Sequence, residues 1–380
     1  MDKLTIICPC HFGTEAVLKR EIADLGYDVT MVEDGRVTFA GDGDSVARAN
    51  VFLRSAERVM ILVGRFHAET FDELFEGTRA LPWEEFIPAD GKFWVKKANS
   101  VRSRLFSPSD IQKIVKKAIV ERLGGIYGIS RFPENGNAYP IRVTMYKDEA
   151  IIALDSSGES LHKRGYRKFT VKAPISETLA SALIMLTPWK GNRILVDPFC
   201  GSGTFAIEAA MMAAGMAPGI NRSFTAESWT NFIDRKSWYR SADEAGQLVK
   251  TGVKTDIQGY DIDPEVVDCA RKNAALAGVD GMIHFQQRPV ERLSHSKKYG
   301  FIITNPPYGE RLGDGSDLAS IYATFGERFK ELDCWSAYVI SSYENVERDM
   351  GIRAARNRKI YNGMIKTYFY QFPGPKPPRR

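Results

Sequence analysis

The chain has 380 residues, 44% hydrophobic and 26% charged, the balance of an ordinary globular protein rather than a disordered or fibrous one. At roughly 100–200 residues per domain, that length suggests two or three domains. No apolar run approaches the roughly 20 residues that span a bilayer, and MDKLTIICPCHFG lacks the apolar stretch and cleavage pattern of a signal peptide; the net charge of +5 singles out no partner, and a cytoplasmic protein is expected.

LTIICPC opens the chain as a buried strand. A helix follows over 13–25, with Ala16, Val17, Leu18, Ile22 and Leu25 on one side and Gly26 as its stop. Two short strands near 28–33 and 36–40 flank the turn signal Asp34-Gly35, so residues 1–55 read as a small α+β unit. Cys8, Cys10 and His11 form a C-x-C-H cluster, but zinc takes four ligands and no second Cys/His pair with ligand spacing follows, so no metal is expected. The other cysteines, Cys200, Cys269 and Cys334, are widely spaced, which points to reduced thiols rather than a disulfide framework.

Residues 56–160 read as a second α+β unit. Its strands are RVMILVGRF, KFWVKKA, PIRVTMYKD and EAIIALDSS, the last two joined at Lys147-Asp148. One helix lies around Phe71–Leu81. Another follows Ser107-Pro108-Ser109, with Ser109 or Asp110 as its cap and Ile111, Ile114, Val115, Ala118, Ile119 and Leu123 on its apolar side. Charge is unevenly spread here: segment 69–90 has seven acidic residues against Arg79 alone, whereas 92–122 has nine Lys/Arg against two acidic residues. Such segregation can steer a polyanion to one face, although a solvated helix face has the same composition.

From 161 to 380 strands and helices alternate, which implies a doubly wound, mostly parallel sheet. Candidate strands are RILVD, TDIQGYD, MIHFQQ, GFIITN, WSAYVIS and two late runs around 357–361 and 364–372; candidate helices span 174–187, 204–215, 264–277 and 318–332. The tail FPGPKPPRR is Pro-rich and basic and reads as a loose arm.

Within this part, ILVDPFCGSGTFAIEAAMMAA places an acid and a Gly-rich loop between an apolar strand and an apolar helix. Gly201 and Gly203 permit a sharp turn, and the helix behind them offers unpaired N–H groups. The dinucleotide fingerprint G-x-G-x-x-G is absent, and Asp197 before the glycines would repel a pyrophosphate but attract an ammonium. That favours the amino-acid end of S-adenosylmethionine, with Asp197, Pro198, Cys200, Gly201, Ser202, Gly203 and Thr204 around it. At the next strand's end, GYDIDPE places Asp261 to accept from a ribose diol beside Ile262, while Asp263 and Pro264 cap a helix. The 64 residues from Asp197 to Asp261 far exceed the roughly 20 of the simple motif and require an insertion over about 216–254, with Trp229, Trp238 and Tyr239. Gln287, ending the third strand, is the candidate for the adenine amino group.

The fourth strand ends FIITNPPYGERL. An amine conjugated to an aromatic ring is a poor nucleophile because its lone pair is delocalised. The Asn305 side-chain oxygen and the Pro306 carbonyl can both accept from such an NH2, Pro306 and Pro307 stiffen the loop, and Tyr308 offers a face on which a flipped-out base can stack. Alone, NPPY is also an ordinary Pro-rich turn; in order behind DPFCGSGT and GYDID it is specific.

With these motifs the C-terminal part resembles the class I, S-adenosylmethionine-dependent methyltransferases that modify exocyclic amino groups. LHKRGYRKFTVKAPISETLASALI and the Trp-containing SFTAESWTNFIDRKSWYR resemble elements of the 23S rRNA (guanine-N2)-methyltransferase family. That likeness implies that Pro174 and Glu177 help hold the methionine part of the cofactor. The N-terminal part resembles a ferredoxin-like region followed by a THUMP RNA-binding domain, with SRLFSPSDIQKIVKKAIVERLGG carrying the likeness. The resemblance therefore implies a Rossmann-like methyltransferase domain behind two α+β domains. It also implies methylation of guanine N2, with Lys96, Lys97, Arg102, Arg104, Lys113, Lys116, Lys117, Lys163 and Arg164 as phosphate contacts. Long members of the family continue into a second methyltransferase domain that this sequence lacks, so the substrate need not transfer. Adenine-N6 or tRNA guanine-N2 methylation shares the motif, and a non-catalytic RNA-binding assembly factor is the alternative from another class. The S-G-G-x-D-S loop of tRNA-thiolating THUMP proteins does not occur.

Overall fold

The computed structural model describes residues 3–169, 174–308 and 318–378. Residues 309–313 of the NPPYGERLG motif, and 170–173 of the stretch before the glycine-loop strand, fall outside them.

The first unit runs β1 (Leu4–Pro9), α1 (Glu15–Asp24), β2 (Val29–Glu33), β3 (Arg36–Gly41) and α2 (Gly43–Phe52). The second runs β4 (Met60–His67), α3 (Phe71–Arg79), β5 (Lys92–Val101), α4 (Pro108–Tyr127), β6 (Ala138–Tyr146) and β7 (Glu149–Asp155). α2 is absent from the sequence reading, although Asp42 and Ser45 form a reciprocal capping box at its start. α4 is capped two to three residues earlier than expected: Ser107 is the N-cap and Pro108 sits at the first helical position, so Ser109 and Asp110 lie inside the first turn. The β6–β7 hairpin turns at Lys147 and Asp148, whose φ values of 52° and 62° match the twist of a two-residue turn.

These two units share one seven-stranded sheet, in the order β2-β3-β1-β4-β7-β6-β5. β1 pairs antiparallel with both β3 and β4, which joins the units edge to edge.

The C-terminal unit comprises α5 (Glu177–Met185), β8 (Leu195–Asp197), α6 (Thr204–Ala213), α7 (Arg235–Leu248), β9 (Ile257–Asp261), α8 (Pro264–Ala277), β10 (Ile283–Gln287), β11 (Phe301–Thr304), α9 (Leu318–Glu331), β12 (Ser336–Ser341), α10 (Val346–Met350), β13 (Arg356–Asn362) and β14 (Ile365–Phe372). Its sheet order is β10-β9-β8-β11-β12-β14-β13. β8 to β12 run parallel, and β14 and β13 close one edge antiparallel. The order reverses between β8 and β11, and the carboxyl ends of strands at such a switch point form a ligand crevice. The tail is irregular, yet the Gly374 N–H donates to Ser336 Oγ at 2.9 Å, so it is tied down at that point rather than loose.

The insertion between α6 and β9 packs away from the sheet it interrupts. Trp229 is fully buried, stacks on Tyr139 with centroids 5.3 Å apart, and donates its indole N–H to Ala138 O at 2.8 Å. Trp238 stacks on Phe224, and α7 lies on α2 with Arg48 paired to Glu244 at 2.7 Å. One continuous apolar core thus runs from Leu4 to Leu161 and includes Ala217, Phe224, Trp229, Ile233 and Ala245 of the insertion.

Candidate active site

β8, β9 and β11 end side by side, and their last residues meet. Asp197 closes β8 at 1% exposure; Thr304 Oγ1 donates to its Oδ1 at 2.5 Å and the Phe199 N–H at 3.2 Å. Burial pushes its carboxyl up to about 7, because no cation among the described residues offsets the lost hydration. Thr304 has no part in the sequence reading; its only signal there is a hydroxyl residue just before NPPY.

The loop after Asp197 turns through two left-handed residues, Gly201 at φ 52° and Gly203 at φ 85°. A Cβ at Gly203 would stand 2.9 Å from Phe285 Cζ and 3.1 Å from Ala270 Cβ, so only glycine fits. Gly203 is also the N-cap of α6 and supplies no side-chain acceptor, which leaves the helix N-terminus available to a ligand. The Gly201 N–H donates to Asp261 Oδ2 at 3.1 Å, so the glycine loop and the end of β9 hold one another. Asp261 accepts from the Asp263 N–H as well, and burial raises its carboxyl above the ordinary range. Asp263 caps α8 by accepting from the Glu265 N–H, with Pro264 at the first helical position, as its spacing predicts. Cys200 is a buried spacer behind the loop, its thiol pushed up by burial.

A cavity of about 290 Å³ opens between these ends, lined among others by Pro198, Asp261, Ile262, Asn305 and Pro307. Gln287 does not reach that wall: it is exposed at the end of β10 and donates to Ile262 O at 3.1 Å, bracing the backbone of a residue that does.

α5 approaches from the far side. Glu177 is 3% exposed, pairs with Arg167 at 3.1 Å, and its carboxyl is raised by burial. Arg167 Nη2 donates both to Ile175 O at 2.7 Å and to Thr204 Oγ1 at 3.0 Å, sewing the residues after Pro174 to the start of α6. His11 of the first unit and Glu57, at the start of the second, reach the same helix: Glu57 pairs with His11 at 3.0 Å and accepts from Thr178, and His11 contacts Ser176 Oγ at 3.0 Å. Arg167 lies within LHKRGYRKFTVKAPISETLASALI, with no role assigned to it from sequence, and Glu57 lies in no motif. Cys8 and Cys10 are buried beside this seam, and the described residues contain no His/Cys/Asp/Glu group able to hold a metal.

Four buried polar atoms on these segments have no hydrogen-bond partner among the described residues: Ser202 Oγ, Glu177 Oε2, Asn305 Oδ1 and Arg167 Nε, the last in an ion pair with Glu177. Buried polar groups are rarely left unmatched, and such a cluster marks a place for a polar ligand. S-Adenosylmethionine fits the donor set. Asp261 and Ile262, which line the cavity, would hold its ribose diol and adenine, and the buried Asp197 behind Pro198 would attract its ammonium. Asn305 lines the cavity at the strand's end, with its buried side-chain oxygen unpartnered among the described residues. Tyr308 differs from expectation: it is 2% exposed and its hydroxyl accepts from Asn362 Nδ2 at 3.0 Å, so its ring is packed rather than presented as an open platform.

The predicted phosphate contacts lie on the second unit and the linker, and most are engaged. Arg104 pairs with Glu69 at 2.5 Å, Lys113 with Asp110 at 3.5 Å, Lys116 with Glu134 at 3.2 Å and Lys163 with Glu159 at 3.0 Å. Lys96 donates to Gly158 O, and Lys117 lies 5.4 Å from the Phe75 ring centroid. Lys97 opens onto a cleft of about 500 Å³ over the sheet, and Arg102 is exposed at the end of β5 with φ 53°. Arg164 is a correction: it is 4% exposed, donates to Leu161 O and Arg54 O, and faces the buried Glu208, so it clamps the linker and is closed to phosphate. The acidic and basic segments that are separate in sequence are interleaved in space, with Arg79 on Glu121 and Arg122 on Glu84.

Known families match each part of the chain. Residues 164–371 match the RMKL-like methyltransferase domain, 5–60 the RlmL ferredoxin-like domain and 68–155 the THUMP domain. The chain is 45% identical over 374 residues to a Bacillus subtilis (strain 168) protein named "Putative RNA methyltransferase YpsC", covering 98% of this chain and 96% of that one. It is 33% identical over 384 residues to the ribosomal RNA large subunit methyltransferase K/L of Cellvibrio japonicus (strain Ueda107), covering 96% of this chain but 50% of that enzyme, so it spans about half of the latter's length. The crystal structure of SMU.472 complexed with S-adenosylhomocysteine superposes with a TM-score of 0.93 at 40% identity, over 100% of both chains.

Proposed function

The chain belongs to the RMKL-like methyltransferase family, and on that premise we propose that it methylates the exocyclic N2 amino group of a guanine in RNA, with 23S rRNA as the substrate. The observation that carries the amino-group reading is Asn305 Oδ1, buried and without a partner among the described residues, at the end of β11 beside the cofactor cavity. Support for RNA comes from the THUMP match and from the names of the relatives; support for guanine comes from the resemblance of the motifs.

Bound S-adenosylmethionine supplies an electrophilic methyl group on a sulfonium. Asn305 Oδ1 and the Pro306 carbonyl accept the two N–H bonds of the target amine, which holds the nitrogen lone pair toward that methyl and out of conjugation with the ring. Nitrogen donates its pair to the methyl carbon as the carbon–sulfur pair leaves on sulfur, and the resulting ammonium gives one proton to water. Thr304, by holding Asp197, and Arg167, by tying α5 to α6, position the cofactor's amino-acid end. Pro307 keeps the loop rigid, so both acceptors stay aimed without being reordered at each turnover.

The test is nucleoside mass spectrometry of ribosomal and transfer RNA from a strain lacking the gene, with complementation. Loss of N2-methylguanosine from 23S rRNA is expected. Loss of N6-methyladenosine, or loss confined to tRNA, would replace the base or the RNA in this reading. Unchanged nucleosides together with no binding of S-adenosylhomocysteine would replace catalysis by an assembly role.

A further inference from the structure

A run of basic side chains without ion-pair partners among the described residues lies outside the N-terminal units. Segment 353–366, RAARNRKIYNGMIK, carries Arg353, Arg356, Arg358, Lys359 and Lys366 and no acidic residue. All five are exposed, and none makes an ion pair among the described residues, in contrast to Arg104, Lys113, Lys116 and Lys163. The segment forms β13, the edge strand of the sheet, and the turn into β14. At that turn Met364 is 96% exposed, which is unusual for an apolar side chain with no partner.

Two contacts give this edge its place. On one side Asn362 Nδ2 donates to the Tyr308 hydroxyl at 3.0 Å, so the hairpin tip abuts the catalytic loop. On the other, Arg358 Nη1 donates to Gly13 O at 3.0 Å, His11 Nδ1 meets Tyr361 O at 3.2 Å, and the half-exposed Phe12 packs edge-on against Tyr361. Lys359 Nζ lies 5.3 Å from the Tyr361 ring centroid and 5.9 Å from that of Phe12. Basic side chains, aromatic rings and an exposed methionine thus lie along a hairpin that touches both the first unit and the catalytic loop.

We propose that this hairpin, with Phe12, is the docking ledge for the RNA strand that flanks the target base. The proposal rests on the RNA-methylating reading above. Arg356, Lys359 and Lys366 hold backbone phosphates, the aromatic faces and Met364 take unstacked bases, and the Asn362–Tyr308 hydrogen bond links occupation of the ledge to the catalytic loop. Charge selects the occupant: unpaired cations along an edge strand fit a polyanion, and they disfavour pairing with an identical edge from a second copy.

The test compares the full-length protein with the triple variant Arg356→Gln/Lys359→Gln/Lys366→Gln. Arg358 is left in place because it bonds Gly13. Binding to a protein-free 23S rRNA transcript is followed from 50 to 200 mM salt, with S-adenosylhomocysteine affinity and melting temperature measured alongside. The variant is expected to lose at least about tenfold in RNA affinity, and three lost phosphate contacts make the logarithmic salt slope shallower by roughly 2–3, with cofactor affinity and melting unchanged. Met364→Ala should lower single-turnover methylation while leaving that slope intact. Unaltered affinity and slope in a triple variant whose parent binds and methylates RNA would overturn the ledge alone. A parent that neither binds nor methylates RNA overturns both readings. A parent that sediments as a dimer and a variant that sediments as a monomer, with equal RNA affinity, would reassign the edge to self-association.

Discussion

If Asp197 takes the cofactor's ammonium as proposed, cofactor affinity should depend on pH in a direction fixed by the burial of that carboxyl. In the ligand-free protein its carboxyl titrates near about 7, so roughly one-eleventh is ionised at pH 6 and ten-elevenths at pH 8. An ammonium partner returns it to the ordinary carboxylate range, and the complex stays ionised across that span. Binding at pH 6 must therefore expel a proton that binding at pH 8 need not. S-Adenosylhomocysteine, which retains the ammonium, should bind about tenfold more tightly at pH 8 than at pH 6, or about 1.4 kcal/mol. Titration calorimetry in buffers of different ionisation enthalpy measures both the affinity and the proton released. Asp197→Asn should bind weakly at both pH values, with no slope. The ligand-free protein has the opposite trend: the folded state binds more protons than the unfolded one between the ordinary carboxylate value and about 7, so its stability falls as pH rises through that window. A flat affinity in the parent protein would refute the reasoning. A slope retained in Asp197→Asn would transfer it to Asp261 or Glu177, which burial raises in the same direction.

Asn305→Ala should leave S-adenosylhomocysteine affinity nearly unchanged and lower single-turnover methylation at least ~100-fold, since a preorganised acceptor is lost; near-normal turnover would remove Asn305 from the mechanism. Trp229→Ala empties a fully buried stacking site and should cost ~3–5 kcal/mol in chemical denaturation. A loss below ~1 kcal/mol would show that the insertion lies against the first core without supporting it.

Much of this molecule was legible in its sequence. The alternation of β8 to β12 with their helices is a local, periodic signal, and so are the glycine turn at 201–203 and the cap at Asp263. What could not be read depends on partners far along the chain. Arg164 belongs to a charged run that suggests a surface, yet Arg54, Leu161 and Glu208 enclose it. Trp229 marked the insertion, but its partner Tyr139 lies in another unit. Tyr308 was read as open because nothing near it in sequence points to Asn362, 54 residues later. α2 is different: its signal is local, the capping pair Asp42 and Ser45 at its start.

The buried Trp229 also bears on how such a protein could be divided or recombined. A cut near residue 160 looks natural on the chain, since the style of the fold changes there. It would leave the amino-terminal fragment without the tryptophan that fills the space over Tyr139, and leave the other fragment with an apolar loop facing water. An exchange of the amino-terminal half between two such enzymes would have to carry roughly residues 217–245 with it. Inheritance here is by core, and the core is not contiguous in sequence.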